Sequence, residues 1–226
     1  MFEVGSHGTT SGEIHRARDP VCRATLLLAH GAGAPRTHPF ITSMADRLAA
    51  NGLDVITFNF LYAESGRKMP DRMELLEACY RAAVATVRAR IAPSLVGVDR
   101  LFVGGKSMGG RVAARIASEE AGLLLAGVIL LGYPLHPPDR PSVTRDEILR
   151  VRLPLLVVQG TRDPFGSASD LARMVGRANV HAVKEGDHSL VVPKRCGAGF
   201  QEYVLDGVAR RVSAFTSPGG PGSRPS

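Results

Sequence analysis

Short apolar, β-branched-rich runs recur along the chain at residues 24–29 (ATLLLA), 54–60 (DVITFNF), 101–104 (LFVG) and 155–159 (LLVVQ). Weaker runs follow at 127–131 (GVILL) and 179–183 (NVHAV). None alternates strictly between apolar and polar positions, so they suit strands covered on both faces. Helical patterns fall between them. Residues 41–51 close on Asn51-Gly52, a helix stop, and Asp71 stands where it could cap a helix. That helix carries Leu76, Cys79, Ala83, Val87 and Ile91 on one stripe and ends before Pro93. Residues 108–119, 169–177 and 201–214 complete the set. Regular alternation of strand and helix predicts an α/β fold, a mostly parallel central sheet with helices on both faces.

The remaining segments read as loops. Residues 135–142 (LHPPDRPS) are too proline-rich for a regular element, and residues 217–226 are mostly Ser, Pro and Gly, the composition of a disordered tail. One domain over residues 1–216 accounts for the rest of the 226-residue chain. The longest apolar run, 123–131, is broken by Gly127 and falls far short of the ~18 residues that span a bilayer, so no membrane association is expected. Residues 1–10 lack the basic start and apolar core of a secretory signal. Cys22, Cys79 and Cys196 lie far apart, without metal-type spacing or a disulfide framework, and a reducing, cytoplasmic setting is the default.

The net charge of +7 raises the question of nucleic acid, but its distribution argues against that partner. The 24 Arg and 4 Lys are scattered singly or in pairs, no Trp is present, and aromatics make up 5%. A nucleic-acid module more often carries a dense basic stripe with aromatics set among it.

The stretch that points to chemistry is Gly105-Lys106-Ser107-Met108-Gly109, a G-x-S-x-G. Alone it is weak. Its context, a short apolar strand before and a helix opening at Gly110 after, is that of a nucleophile elbow, in which a tight turn lifts the serine above the sheet edge. A phosphate-binding loop would need glycine five positions before Gly105, where Arg100 stands. A serine nucleophile requires a base to take its proton and an acid to orient that base. Asp163 follows the strand at 155–159, and His188 sits in the loop before the last helix, so Ser107, Asp163 and His188 occur in the order this fold uses. For the oxyanion, one amide should come from Met108 and the other from the small-residue loop after residue 29, with Ala32 preferred and Gly33 second.

At several points the sequence resembles a known family. The matching segments are His30-Gly31-Ala32-Gly33-Ala34, Phe58-Asn59-Phe60 with Arg67-Lys68-Met69-Pro70-Asp71, the run Gly104 to Gly110, Gly132-Tyr133-Pro134-Leu135-His136-Pro137-Pro138, Gln159-Gly160-Thr161-Arg162-Asp163 and Glu185-Gly186-Asp187-His188. They are similar to the α/β-hydrolase group that includes the KANL3/Tex30-like and dienelactone-hydrolase-related proteins. The resemblance implies an α/β-hydrolase fold with Ser107 as nucleophile, Asp163 as acid and His188 as base. Dienelactone hydrolases use a cysteine nucleophile, so dienelactone turnover is not implied.

Plainer roles compete at each position. Asp163 could simply form the turn before Pro164, and Glu185 and Asp187 are rival acids. His181 is the rival base, but it falls inside a strand. His30 suits a hydrogen-bonding role in orienting its loop. Lys106 and Arg111 read as solvent-facing, with contact to a substrate anion as the alternative. Arg67 and Lys68 read as a solvated loop pair, His38 and His136 as loop histidines, and Cys79 as core. The resulting expectation is a hydrolase of small or medium esters or thioesters, needing no metal or cofactor and lacking a large lid between Leu131 and Leu155. The alternative is a non-catalytic binding or scaffold subunit on the same fold. No motif specifies the substrate, the oligomeric state or the pathway.

Overall fold

The computed structural model describes residues 1–91, 100–119 and 121–222. Pro93, the expected helix end, and residues 223–226 of the expected tail lie outside the described residues.

The elements run β1 (Phe2–Glu3), β2 (Thr9–Thr10), β3 (Gly12–His15), β4 (Thr25–Ala29), α1 (Pro39–Ala50), β5 (Asp54–Phe58), α2 (Leu61–Glu64), α3 (Met73–Thr86), β6 (Leu101–Lys106), α4 (Met108–Glu119), β7 (Gly127–Leu131), β8 (Leu155–Gly160), α5 (Ala168–Val175), β9 (Val180–Val183) and α6 (Phe200–Thr216). β1 and β2 form a small ribbon, and the other seven strands form one sheet in the order β3-β5-β4-β6-β7-β8-β9. β3 pairs antiparallel with β5, and every other pairing is parallel. The fold is therefore α/β with a mostly parallel sheet.

Strands β4 to β8 are buried along their whole length because both faces are covered. Side-chain parity divides the core. Leu27, Leu101 and Val103 pack toward α3 and α4 in one cluster, while Leu26, Leu28 and Phe102 pack toward α1 and α6 in the other. Helix ends follow local chemistry. His38 accepts the Phe40 N–H at 3.3 Å through Nδ1 ahead of Pro39, and Gly52 (φ +85°) carries the chain out of α1. Ser167 and Asp170 form a reciprocal capping box on α5.

Several boundaries differ from those predicted. Asp71 does not cap α3. Its carboxylate accepts from Arg67 at 2.6 Å, and α3 begins after Arg72. The helical stripe continues past Thr86 only as a π-turn, Val87–Ile91. β6 runs two residues beyond Gly104, which places Lys106 in the sheet. Ser217 to Gly222 folds back on α6, the Gly222 N–H reaching Phe215 O at 2.9 Å. Among the described residues, no helix is long and apolar enough to cross a membrane.

Because β4, β6, β7 and β8 run parallel in matched register, their C-terminal ends share one edge. The segments that leave that edge carry His30 to Ala34, Ser107, Gly132 to Pro134 and Asp163, and the chain leaving neighbouring β9 carries His188.

Candidate active site

Ser107 sits between β6 and α4 with φ +51°, a left-handed conformation that costs a non-glycine residue about 1–3 kcal/mol. The turn is held by the Ser107 N–H, which donates to Leu131 O at 3.0 Å, and by packing that only glycine permits. A Cβ on Gly109 would stand 2.4 Å from His30 O. The elbow thus brings the start of α4 directly against the β4 loop.

The structure brings Ser107, His188 and Asp163 together. Ser107 Oγ lies 2.8 Å from His188 Nε2, and His188 Nδ1 lies 2.8 Å from Asp163 Oδ2. The Asp163 side chain is fully buried and that of His188 nearly so, at 0% and 18% exposed. A carboxylate can only accept, so Asp163 fixes the proton on Nδ1 and leaves the Nε2 lone pair facing the serine. Asp163 is itself held. Gln159 Nε2 donates to Oδ2 at 2.8 Å and the Phe165 N–H to Oδ1 at 2.8 Å. Phe165 packs on the His188 ring, with centroids 4.3 Å apart.

The rival acids and base are engaged elsewhere. Asp187 Oδ1 accepts the N–H groups of Ser189 and Val191, shaping the turn after His188. Glu185 pairs with Arg195 and Arg162. His181 pairs in register with Val158 inside the sheet, and burial lowers its pKa.

The β4 loop is fixed by two donors on one carbonyl. His30 is fully buried, and burial lowers its pKa to about 4, so it is neutral. Its Nε2 accepts the Phe60 N–H at 3.0 Å, which leaves Nδ1–H to donate to Gly31 O at 2.8 Å. Tyr62 OH donates to the same oxygen at 3.2 Å. In a trans peptide the N–H points opposite the C=O, so anchoring Gly31 O orients the Ala32 N–H the other way. Among the described residues neither the Ala32 nor the Met108 N–H has an acceptor, and both residues line the cleft beside Ser107.

That cleft has a volume of about 600 Å³. Its lining includes His38, Phe40, Ile41 and Val191 together with Arg111, Pro134 and Arg145. Arg111 donates to Glu147 Oε1 at 2.9 and 2.7 Å rather than facing solvent freely. Burial opposes ionisation of Glu147, but the bonds from Arg111 outweigh it and hold the pKa below the usual carboxylate range. Lys106 departs furthest from expectation. It is 9% exposed and lines the cleft, and burial lowers its pKa to about 8 against the opposing pull of Asp163 and Asp187. Its extra strand residues explain the difference, since they direct it to the α1 side of the sheet instead of into a loop.

Sequence reasoning did not single out Gln159, Tyr62, Phe165 or Arg145 for the site. Gln159 had a visible signal, as a polar residue closing an otherwise apolar strand. Tyr62 had none, because its role depends on α2 folding over the β4 loop.

A parallel sheet whose C-terminal edge carries a strained serine elbow, with histidine and acid on later loops, defines the α/β-hydrolase class. A family profile described as an alpha/beta hydrolase domain matches residues 22–217, and the chain belongs to that family. Solved structures agree in fold. An alpha-beta serine hydrolase homologue from Coxiella burnetii superposes with a TM-score of 0.70 at 17% identity, over 94% of this chain and 95% of that one. A serine hydrolase without a lid from Xanthomonas campestris gives 0.65 at 20%, over 93% of each chain. A dienelactone hydrolase from Anabaena variabilis gives 0.64 at 19%, over 94% and 92%.

Proposed function

We propose that the chain is a serine hydrolase that cleaves small or medium esters or thioesters through an acyl-enzyme. The observation that carries this reading is the continuous line of hydrogen bonds from Ser107 Oγ through His188 to Asp163, at 2.8 Å each, opening into a cleft. Ser107 Oγ attacks the substrate carbonyl as its proton passes to His188 Nε2, and Asp163 stabilises the imidazolium. The Met108 and Ala32 amides receive the oxyanion, and the start of α4 adds its positive dipole end. Collapse of the tetrahedral species breaks the carbonyl–leaving-group bond, and the proton on His188 goes to the departing alkoxide or thiolate. Water then attacks the acyl-enzyme, giving one proton to His188 and returning Ser107 Oγ–H as the acid is released. No step calls on a metal or cofactor.

The 23 residues between Leu131 and Leu155 contain one short 3₁₀ turn and no larger helical insertion, which supports an open cleft and a preference for short acyl groups. We also assign the chain to the KANL3/Tex30-like group and to the cytoplasm, on the motifs around the cleft and on three free cysteines. The test is labelling with a neutral fluorophosphonate, read by intact mass and peptide mapping. One adduct on Ser107, absent in Ser107→Ala, is expected together with loss of ester hydrolysis in the variant. Hydrolysis that survives in Ser107→Ala overturns the reading.

A further inference from the structure

Lys106 and Ser107 are adjacent in sequence, yet the lysine has no role in the proton path. Its ammonium has no hydrogen-bond or ion-pair partner among the described residues, although the residue is nine-tenths buried. The Phe40 ring lies on the α1 side with its centroid 6.0 Å from Nζ, and Asp163 and Asp187 act on the ammonium only at longer range. The ammonium keeps contact with solvent only through the cleft, and a cation so largely desolvated is normally paired. The other cations of the cleft show what pairing looks like. Arg111 is matched to Glu147, whereas Arg145 donates to Pro134 O at 2.8 Å and has no carboxylate within 4 Å. The described cleft-lining residues include no Asp or Glu. Asp163, the carboxylate nearest the reacting atoms, is committed to His188, Gln159 and the Phe165 N–H.

From this arrangement we infer that the substrate carries a carboxylate on a short apolar chain, seated on Lys106 at the α1 side of Ser107. The inference rests on the proposed hydrolase reading and narrows its substrate class. Phe40 lies beside the ammonium and Ile41 and Val191 also line the cleft, apolar surface that suits methylenes leading to a single terminal charge. One ammonium is a point charge that matches a monoanion, while a phosphate dianion is better served by a guanidinium fork. Arg145, also in the cleft lining, adds to the positive field and favours encounter with an anionic ester.

The test compares matched esters that differ only in a free or methyl-capped carboxylate. One pair places the tail on the acyl side, 4-nitrophenyl hydrogen glutarate and its methyl ester. The other places it on the alcohol side, 4-acetoxybutanoate and its methyl ester. The wild type should favour the free acid in one pair by about 10- to 100-fold in kcat/KM, the range for a charge-assisted contact. That ratio should fall to near 1 in Lys106→Met and be partly kept in Lys106→Arg. Free glutarate should also protect Ser107 from a neutral fluorophosphonate in the wild type and not in Lys106→Met, a readout independent of turnover. A wild-type ratio near 1 in both pairs, or one unchanged in Lys106→Met, overturns the inference. So does a stronger preference for a phosphate-tailed ester. Ser107-dependent cleavage of the capped esters alongside such a result leaves the hydrolase reading standing. Absence of both cleavage and labelling removes the two together.

Discussion

Replacing Lys106 by Met should stabilise the protein at neutral pH, and the gain should fade in alkali. Burial lowers the Lys106 pKa from 10.5 to about 8. The unfolded chain therefore holds this proton more tightly than the folded one, and the protonated side chain opposes folding. Below pH 8 the lysine is charged in both states and the penalty is complete. At about 1.4 kcal/mol for each tenfold change in proton affinity, that lowering is worth about 3 kcal/mol. As pH rises through 8 the folded lysine gives up its proton, and by pH 10 less than about 1 kcal/mol remains. Methionine fills a similar volume without charge. The difference in unfolding free energy between variant and wild type should thus shrink by about 2 to 3 kcal/mol from pH 6.5 to pH 10. Urea titrations followed by circular dichroism at four pH values measure it, and ionisations common to both proteins, including those of Asp163 and Asp187, largely cancel in the difference. A gap that does not change with pH would mean the ammonium is as well solvated in the cleft as in water. A gap that widens would mean it has a strong partner. Either result refutes the reasoning about an unpaired buried charge.

Two further substitutions probe how the site is held. Tyr62→Phe removes one of the two donors on Gly31 O and loosens the Ala32 amide. A neutral hydrogen bond of about 0.5–1.5 kcal/mol converts to a 2- to 12-fold loss in kcat, with KM little changed, in steady-state ester assays. A change confined to KM would place Tyr62 outside oxyanion stabilisation. In Gly160→Ala the new Cβ would stand 2.3 Å from Gly186 O and 2.5 Å from Asp187 O, so the loop carrying His188 must shift. Displacement of a catalytic group by about 1 Å is worth roughly 100-fold in rate. Activity within threefold of wild type would show that the loop tolerates the shift.

The six strands from β4 to β9 and the five longer helices α1, α3, α4, α5 and α6 are legible because their signals are local, apolar runs and stripes between turn residues. β3 was not. It pairs at the sheet edge, its four residues are at most half-buried, and GEIH offers no apolar run. The positions of Ser107, Asp163 and His188 followed from chain order, since each loop leaves one edge of a parallel sheet whatever the side-chain detail. What stayed hidden depends on contacts between distant segments. Tyr62 matters through the Gly31 carbonyl, and Asp71 lost its capping role to Arg67, four residues earlier. Lys106 was misread for a reason of parity. Ending the strand at Gly104 left it in a loop, whereas two more strand residues turn it inward.

Outside the cleft several charged groups are matched by opposite charges, while buried Asp54 accepts the Ala17 N–H at 2.8 Å. Glu77 lies between Arg81 and Arg115, and Arg47 holds both Glu202 and Asp206 across α1 and α6. Three departures from local optimum meet at one edge of the sheet: the positive φ of Ser107, a histidine buried neutral, and an ammonium with no hydrogen-bond or ion-pair partner among the described residues. The first two have structural returns within the site, since the elbow lifts the serine and His30 anchors the Gly31 carbonyl of the β4 loop. Lys106 has none in the folded chain. Apolar packing alone would be served better by Met or Leu, and a structural charge would have a carboxylate beside it, as Arg111 has Glu147. The compensating interaction then falls to a group that enters the cleft, and the carboxylate-bearing ester we propose would supply it while placing its carbonyl beside Ser107.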